Sequence, residues 1–387
     1  MLPLLSLKPN ICSVMERKLT DICSIQYGYP FDAARFSSSP DDGKPLIRIR
    51  DVKEGRTETY YKGDYPEEYI VHRGDYLVGM DGEFNIAPWQ SEDALLNQRV
   101  CKIESNDADV SIGYLYRFLK RELKRIEDDT PFATVKHLSA KRLNQVFVPL
   151  PTIAEQERIV AELDLLSGII DKQKAQLKEL DTLAQSIFYD MFGNPVENEK
   201  GWIVKPLGEL CDIFRGASPR PIEHFLGGTI PWIKIGDATR GDDIYLHATK
   251  EHIIEEGLKK TRYIHSGSLI FANCGVSLGF ARIITFDGCI HDGWLAFDNI
   301  SDEVDKIFLL KSLNYCTPYF RSIAPDGTQP NLNTAIMKVF KQIIPPLEMQ
   351  KTFIKKIQMI EKQKIAISKS FVESQKLLDY MMDKYFG

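Results

Sequence analysis

Basic and aromatic side chains alternate in two loop-rich stretches of the 387-residue chain. Lys and Arg contact phosphate groups, and Arg can also bind a guanine edge through two hydrogen bonds. These residue types therefore predict nucleic-acid contacts, although each could also be ordinary solvated surface. The predicted contact residues are Tyr27, Tyr29, Arg35, Lys44, Arg48, Arg50, Lys53 and Arg56 in the first stretch, and Arg215, Arg220, Lys234, Arg240, Lys259, Lys260 and Arg262 in the second.

Sequence motifs of catalysis do not accompany these residues. The chain contains no GxxxxGK[ST] phosphate loop, no HExxH, no GxSxG and no [DN]PP[YFW] tetrapeptide of amino-methyltransferases. Two ExK triplets, at 16–18 and 122–124, resemble part of a nuclease motif, but such triplets arise by chance in a charged chain. We therefore expect no catalytic residue and no metal site in this chain.

Composition sets further bounds on the class of protein. Hydrophobic residues make up 43% and charged residues 27%, which is typical of a globular protein of two domains. The seven cysteines form no CxxC pair, and no apolar run is long enough to cross a membrane, so we expect a cytoplasmic protein without disulfides. The net charge of −5 is unusual for a protein that binds DNA by electrostatics alone.

An internal repeat at an offset of 194 residues organises the chain. The segment PLPTIAEQ at 149–156 aligns with IIPPLEMQ at 343–350, and the same register places Phe192-Gly193 on Phe386-Gly387. Weaker matches lie upstream with small shifts from this offset: Gly28 with Gly216, 47–51 with 232–237, and 71–77 with 264–270. The chain order is therefore globular unit, helix, globular unit, helix.

Apolar residues at alternating spacings of four and three predict two long helices of about 37 residues, each roughly 55 Å long. Thr152 and Glu155 suggest a capping box at the first helix start, and Gly193 and Pro195 predict its end. The predicted seam residues are Ile159, Leu163, Leu166, Ile170, Leu177, Leu180 and Ile187 in the first helix, and Phe353, Ile357, Ile360, Ile367, Phe371, Leu378 and Met381 in the second.

Opposite charge favours pairing of these two helices with each other. Residues 151–193 carry four Lys or Arg and eight Asp or Glu, whereas residues 345–387 carry eight and five. A narrow apolar seam needs a partner, and a partner of opposite charge suits it best. The alternative is that each helix packs on its own globular unit.

The predicted fold class is α+β: two similar α/β domains with curved sheets, separated by two long helices that form an antiparallel coiled coil with pseudo-two-fold symmetry. The predicted domains are residues 1–148 and 194–342, and the predicted helical segments are 149–193 and 343–387. The strongest strand and helix patterns within the domains are Pro45–Val52, Tyr69–Val78, Arg99–Ile103, Thr229–Ile235, Ser268–Ala272 and Ala281–Phe286 for strands, and Ile112–Glu127, Ser139–Gln145, Ile307–Ile323 and Asn333–Val339 for helices.

This arrangement resembles the specificity subunit of type I restriction–modification systems. The resemblance is carried by PLPTIAEQERIVAELD at 149–164, SIFYDMFGNP at 186–195, and the copy ending MMDKYFG. The openings KLTDICSIQYG and PLGELCDIFRGASP, together with GGTIPWIKIGD and LLNQRVCKI, extend it over nearly the whole chain. The second helix departs from the pattern, because it begins PLEMQ rather than PTIAEQ.

The resemblance implies that each domain is a target-recognition domain reading one half of a split DNA sequence. It also implies that the helices set the spacer and dock two methyltransferase subunits, with restriction subunits as possible further partners. S-adenosylmethionine, ATP and Mg²⁺ would then bind to those partners and not to this chain. Shared binding of DNA by the partners would also account for the acidic net charge.

Two other hypotheses remain open from the sequence. The chain could be a non-catalytic coiled-coil adaptor that assembles other proteins, or a nuclease without a recognisable motif. Binding that weakens steeply with salt would distinguish a DNA reader from an adaptor, because contacts with phosphate release counterions. Incubation of the purified chain with plasmid and magnesium would test the nuclease.

Overall fold

A computed structural model describes residues 15–130, 136–239, 244–324 and 331–387 of the chain. The chain divides into two compact units: the first contains residues 1–171 and 373–387, and the second contains residues 172–372. Each unit therefore combines one globular domain with parts of both long helices. Among the described residues, no helix is both long enough and apolar enough to cross a membrane.

The first unit is a mixed domain of short strands and helices. Its elements, in chain order, are β1 (Met15–Lys18), α1 (Leu19–Ile22), β2 (Cys23–Tyr27), β3 (Phe36–Ser37), β4 (Lys44–Ile47), α2 (Ile49–Glu54), β5 (Tyr60–Tyr61), β6 (Ile70–Val71), β7 (Tyr76–Gly79), β8 (Asn85–Pro88), β9 (Ala94–Leu96), β10 (Val100–Ser105), α3 (Ile112–Asp128), α4 (Ala140–Leu143), β11 (Phe147–Leu150) and the start of α5 (Ile153–Phe192).

Two sheets build this domain, with strand orders β2-β10-β7-β8 and β3-β5-β4-β9-β6. A two-stranded pair of β1 and β11 closes the domain next to the long helices. Helix α3 buries one face, which includes Tyr114, Phe118 and Leu123, in a core that it shares with the first of these sheets. The spacing of those residues is that of an amphipathic helix, so burial of the apolar face explains why this segment is helical.

The second unit repeats this architecture. Its elements are β12 (Ile203–Pro206), α6 (Leu207–Leu210), β13 (Asp212–Arg215), β14 (Leu226–Ile233), β15 (Tyr245–Leu246), β16 (Glu251–Ile253), β17 (Arg262–Ile264), β18 (Leu269–Ala272), β19 (Ala281–Ile284), β20 (Gly288–Ile290), β21 (Trp294–Asp298), α7 (Lys306–Tyr315), α8 (Thr317–Ile323), α9 (Thr334–Val339), β22 (Lys341–Ile344) and α10 (Leu347–Phe386), whose first part belongs to this unit. Its sheets have the orders β13-β21-β18-β19-β15 and β16-β14-β20-β17, and β12 pairs with β22 as β1 pairs with β11.

The two long helices are confirmed. Helix α5 runs from Ile153 to Phe192 and α10 from Leu347 to Phe386. Gly193 ends α5 with a φ of +73°, a left-handed conformation that glycine adopts without strain. The Thr152 hydroxyl accepts a hydrogen bond from the Glu155 N–H at 3.4 Å, while the Glu155 carboxylate pairs with Arg158. The start of α5 therefore uses only half of the predicted capping box.

The two helices pair, and in the second unit they run antiparallel. Gln173 Nε2 donates to Ser370 Oγ at 2.9 Å, Asp181 lies 2.6 Å from Lys364, and the Phe188 and Phe353 ring centroids are 5.5 Å apart. As residue numbers increase along α5, those of the contacting residues on α10 decrease, so the two helices run in opposite directions. In the first unit, the Tyr385 hydroxyl donates to Glu162 at 2.5 Å. None of the predicted seam residues is exposed: all are buried or partly buried.

A buried glutamine ties each long helix to its own domain. Gln350 is fully buried; its Nε2 donates to the Glu303 carbonyl at 3.0 Å and the Pro345 carbonyl at 2.7 Å, and its Oε1 accepts from the Asp305 N–H at 2.8 Å. Gln156 makes the corresponding three bonds, with Asp109, Pro151 and Ser111. Every partner is displaced by the same 194 positions. The repeat therefore extends to individual hydrogen bonds.

Three predicted elements are wrong in part. The strand predicted at Tyr69–Val78 is two strands, β6 and β7, which lie in different sheets, because the Asp75 carboxylate accepts from the backbone N–H of His72 at 2.9 Å and closes a turn between them. The segment predicted as a strand at Pro45–Val52 leaves the sheet after Ile47 and forms α2. The Asp51 carboxylate accepts a hydrogen bond from the backbone N–H of Arg48 at 2.8 Å, and this bond caps the start of the helix. The helix predicted at Ile307–Ile323 is two helices, α7 and α8, which meet at Cys316 just before Pro318. Proline lacks the N–H that a continuous helix would need, so a new helix starts there.

Candidate nucleic-acid interface

In the first unit, three of the predicted contact residues surround one hollow. Arg48 directly follows β4, and Arg50 and Lys53 lie on the exposed face of α2. With Ile49, Asp81, Glu83 and Asn85, these three line a hollow of about 380 Å³. The short helix after β4 therefore gathers three cations that the sequence places within six positions.

Ion pairs leave the cations around this hollow largely available. Arg48 is exposed and has no ion pair within the described part of the chain. Arg50 Nε lies 3.6 Å from the buried Asp51, and Lys53 Nζ lies 3.2 Å from the exposed Glu83. Pairs between exposed side chains contribute little, about 0–1 kcal/mol. A phosphate could therefore replace Glu83 at Lys53 at little cost.

The other predicted residues of the first unit are spread more widely. Arg35 and Arg56 are exposed, and Lys44 is half-buried on β4. The exposed ring of Tyr29 packs against Phe31 and Tyr69, with centroids 5.0 and 5.2 Å apart. These four residues do not line the hollow, so their role in DNA binding stays a prediction.

Tyr27 has a packing role that the sequence did not reveal. Its hydroxyl donates to Asn144 Oδ1 at 2.9 Å, and its ring packs against the core of the first unit. Burial raises the pKa of Tyr27 to about 12. Its side chain is therefore engaged within the domain, and a contact with DNA stays a prediction.

The second unit has a corresponding hollow of about 470 Å³. Predicted residues Arg220 and Lys234 line it together with Ser218, Trp232, His291 and their neighbours. Lys234 Nζ lies 2.5 Å from Glu251, and the fully buried Trp232 has no hydrogen-bond partner for its indole N–H among the described residues. Buried donors without a partner are rare in folded proteins.

Asp292 contacts two of the predicted cations of the second unit. It accepts from Ser218 Oγ at 2.6 Å and lies 3.4 Å from Arg220, and its carbonyl accepts from Arg215 Nε at 3.1 Å. Asp292 was not predicted from the sequence. Its place in the repeat, opposite Gln98 of LLNQRVCKI, was the available signal.

His291 is mainly neutral in this hollow. Burial, opposed by Asp292, holds the pKa of His291 below its ordinary value. Its Nδ1 accepts from the Gly293 N–H at 2.9 Å, which places the proton of the neutral ring on Nε2, 3.0 Å from Asp292. The ring therefore adds no positive charge to the hollow at neutral pH.

Two of the remaining predicted residues of the second unit are exposed cations beside aromatic rings. Lys260 Nζ lies 4.7 Å from the centre of the Phe225 ring, and the Arg262 guanidinium lies 4.9 Å from that of Phe214. Lys259 is exposed, and Arg240 lies outside the described residues. Their contacts with DNA stay predictions.

Arg48 and Lys234 occupy the same place in the two units. Each follows a strand whose last two residues are buried and begins a short helix. The backbone N–H of each donates to an aspartate three positions later, at 2.8 Å to Asp51 and 2.9 Å to Asp237. The structure also explains why both Gly28 and Gly216 are glycines. A Cβ on Gly28 would lie 2.0 Å from the Asn97 carbonyl oxygen, and one on Gly216 would lie 2.2 Å from that of His291.

Two copies of one α+β domain, each presenting a basic hollow and each bonded to a long helix, define a duplicated DNA-recognition protein. The model of the type I restriction modification DNA specificity domain matches residues 13–182 and again residues 199–373. The chain therefore belongs to the type I restriction–modification DNA specificity family.

Individual relatives agree with this assignment. The chain is 44% identical to the type I restriction enzyme EcoBI specificity subunit of Escherichia coli over 168 residues, which are 43% of this chain and 35% of that relative. It is 25% identical to the MjaIX specificity subunit of Methanocaldococcus jannaschii over 310 residues, 74% of this chain and 71% of the relative.

A solved structure shows the same fold. The type I restriction–modification S subunit from M. genitalium superposes with a TM-score of 0.57, covering 100% of this chain and 99% of that one, at 16% identity. The predicted combination of two mixed domains with long helices is thereby confirmed.

Proposed function

We propose that this chain is the specificity subunit of a type I restriction–modification complex and that each of its domains reads one half of a bipartite DNA target. The observation that carries the proposal is the repetition of the basic position after a central strand, Arg48 in one unit and Lys234 in the other. Because the surrounding residues differ, the two domains would read different half-sites. Family membership and the relatives named above support the same function.

The long helices serve as the spacer and as docking surface for partners. Several large apolar side chains on them are exposed, among them Leu165, Leu377 and Tyr380 in the first unit and Met359 and Ile365 in the second. Exposed apolar side chains of this kind suit a protein interface. Two methyltransferase subunits are the proposed occupants, and restriction subunits can join them.

The chemistry resides in those partners. S-adenosylmethionine would bind to the methyltransferase subunits, and ATP with Mg²⁺ to the restriction subunits. This chain contributes the choice of sequence and not a catalytic group. Joint binding of DNA by the partners is compatible with its net charge of −5.

Methylome sequencing of the host, with the gene present and deleted, tests the proposal. We expect a bipartite N6-methyladenine motif that is present only with the gene and returns on complementation. A methylome that is unchanged by deletion, in a host that expresses the methyltransferase subunits, would contradict the role as a methylation guide. An adaptor without a DNA role predicts that unchanged outcome.

A further inference from the structure

An arginine outside the predicted set lies in an unusual turn of the first unit. Arg99 joins β9 to β10 with a φ of +74°, a conformation that side chains other than glycine rarely adopt. The close approach of Gly28 to Asn97 and the hydrogen bond from the Met80 N–H to the Arg99 carbonyl at 2.9 Å hold the turn. Such strain is concentrated at functional sites.

Two neighbouring side chains orient the Arg99 guanidinium. Its Nε lies 3.6 Å from Asp81, and its Nη1 lies 3.3 and 3.5 Å from the two ring nitrogens of His137. His137 Nδ1 also makes a short contact with Asp81. Arg99 Nη2 has no hydrogen-bond partner among the described residues, and the side chain is 52% exposed. The end of the guanidinium is therefore held in place and remains open to a ligand.

The same place in the second unit is built differently. The repeat puts Gly293 opposite Arg99, and the backbone bridges put Cys274 and Asn331 opposite Asp81 and His137. A Cβ on Gly293 would lie 3.2 Å from Cys274 Sγ and 2.7 Å from Ile235, so a long side chain does not fit there. An oriented arginine at this point is therefore a property of the first unit alone.

We infer that Arg99 reads a guanine in the half-site bound by the first domain, with Asp81 and His137 as positioning residues. The inference rests on the proposed function. A planar guanidinium can donate two hydrogen bonds to the O6 and N7 atoms of guanine in the major groove, here from Nη2 and from the second N–H of Nη1. Asp81 also lines the hollow of Arg48, Arg50 and Lys53, so phosphate-binding cations adjoin the reading group.

Three variants, studied in the complex with the methyltransferase subunits of the same host, separate reading from other roles. Arg99→Gly removes the side chain and suits the positive φ, so the domain should remain folded. Arg99→Lys keeps the charge but loses the paired donors. Arg125→Ala, an exposed arginine on α3, is the matched control for loss of one charge. For each variant we would determine the methylation motif, and measure the affinity for duplexes that carry a substitution at each target position.

The expected result is loss of the preference for guanine at one position of one half-site, by about tenfold or more, in both Arg99 variants. The other half-site and Arg125→Ala should keep the wild-type preference. A wild-type motif in Arg99→Gly would overturn the inference and indicate that Arg99 has no role in recognition. If Arg99→Gly weakened the affinity for all duplexes equally and Arg99→Lys kept most of the wild-type affinity, the inference would also be overturned, because that result indicates a phosphate contact. Absence of any bipartite motif with the wild-type chain would contradict the proposed function itself.

Discussion

At the scale of single residues, the candidate surface depends on cations that short elements hold on a rigid sheet edge. Arg48 and Lys234 are fixed through their backbones, because an aspartate three positions on accepts from each N–H. The Arg48 side chain has no ion pair among the described residues, whereas Lys234 Nζ lies 2.5 Å from Glu251, and both side chains of that pair are partly exposed. A fixed backbone with a cation that can exchange its partner suits phosphate binding, in which position matters more than a single exact geometry.

The double substitution Arg48→Ala and Arg50→Ala should weaken binding of the assembled complex to its target duplex. Loss of two phosphate contacts should reduce the slope of log K against the logarithm of the salt concentration by about two. Salt titration of the affinity measures this slope. The double variant of Lys120 and Arg125 to alanine, both exposed on α3, is the control of equal charge. Equal slopes for the two double variants would show that Arg48 and Arg50 do not contact phosphate groups of the DNA.

His291 should make stability depend on pH. Because burial lowers its pKa in the folded state, the folded protein resists protonation of the ring. Stability is therefore complete above the ordinary histidine pKa, about 6.5, and falls as the pH decreases below it. His291→Asn, which introduces the residue found at the matching position 97, should reduce that fall. Urea midpoints at pH 7.5 and pH 5.5 test this, and an unchanged difference would contradict it.

At the scale of elements, the helix pair was the part that the sequence predicted best. Heptad spacing, Gly193 and the repeat define both long helices to within a few residues. Strand patterns were less informative where a polar side chain caps a helix. At Asp51, such a cap makes a segment of alternating apolar and polar residues form the helix α2. Arg99 was missed because a positive φ depends on the contact of Gly28 with Asn97, far away in the sequence.

The glutamines at the two helix starts should be more important for stability than their polar type suggests. Gln350→Ala removes three hydrogen bonds made by a fully buried side chain and leaves the partly buried Asp305 N–H unpaired, at a cost of roughly 1–3 kcal/mol. Gln358→Ala, on an exposed position of the same helix, should change stability little. Urea unfolding of both variants gives the comparison. Equal midpoints would show that this network does not hold the helix to its domain.

At the scale of the whole molecule, we propose that the two helices set the distance between the two half-sites on DNA. One heptad inserted into each helix, after Asp171 and after Val372, would preserve the seam and add about 10 Å. We expect the DNA spacer to lengthen by about three base pairs, at 3.4 Å each, with both half-sites unchanged. Four residues inserted at the same points would break the heptad phase and serve as the control. An altered half-site after the heptad insertion would contradict this proposal.

The hollows could not have been assembled from the sequence alone. The first combines Arg48 with Glu83, and the second combines Arg220 with Lys234 and His291, which only the folded sheets bring together. The sequence did predict the duplication and the basic character of these stretches.

Selection of bound duplexes from a random library by the assembled complex tests the central claim most directly. The account predicts enrichment of two short fixed segments, separated by a gap of constant length whose bases are not selected. Enrichment of one uninterrupted segment, or no enrichment above that of the methyltransferase subunits alone, would contradict a chain that reads DNA with two domains.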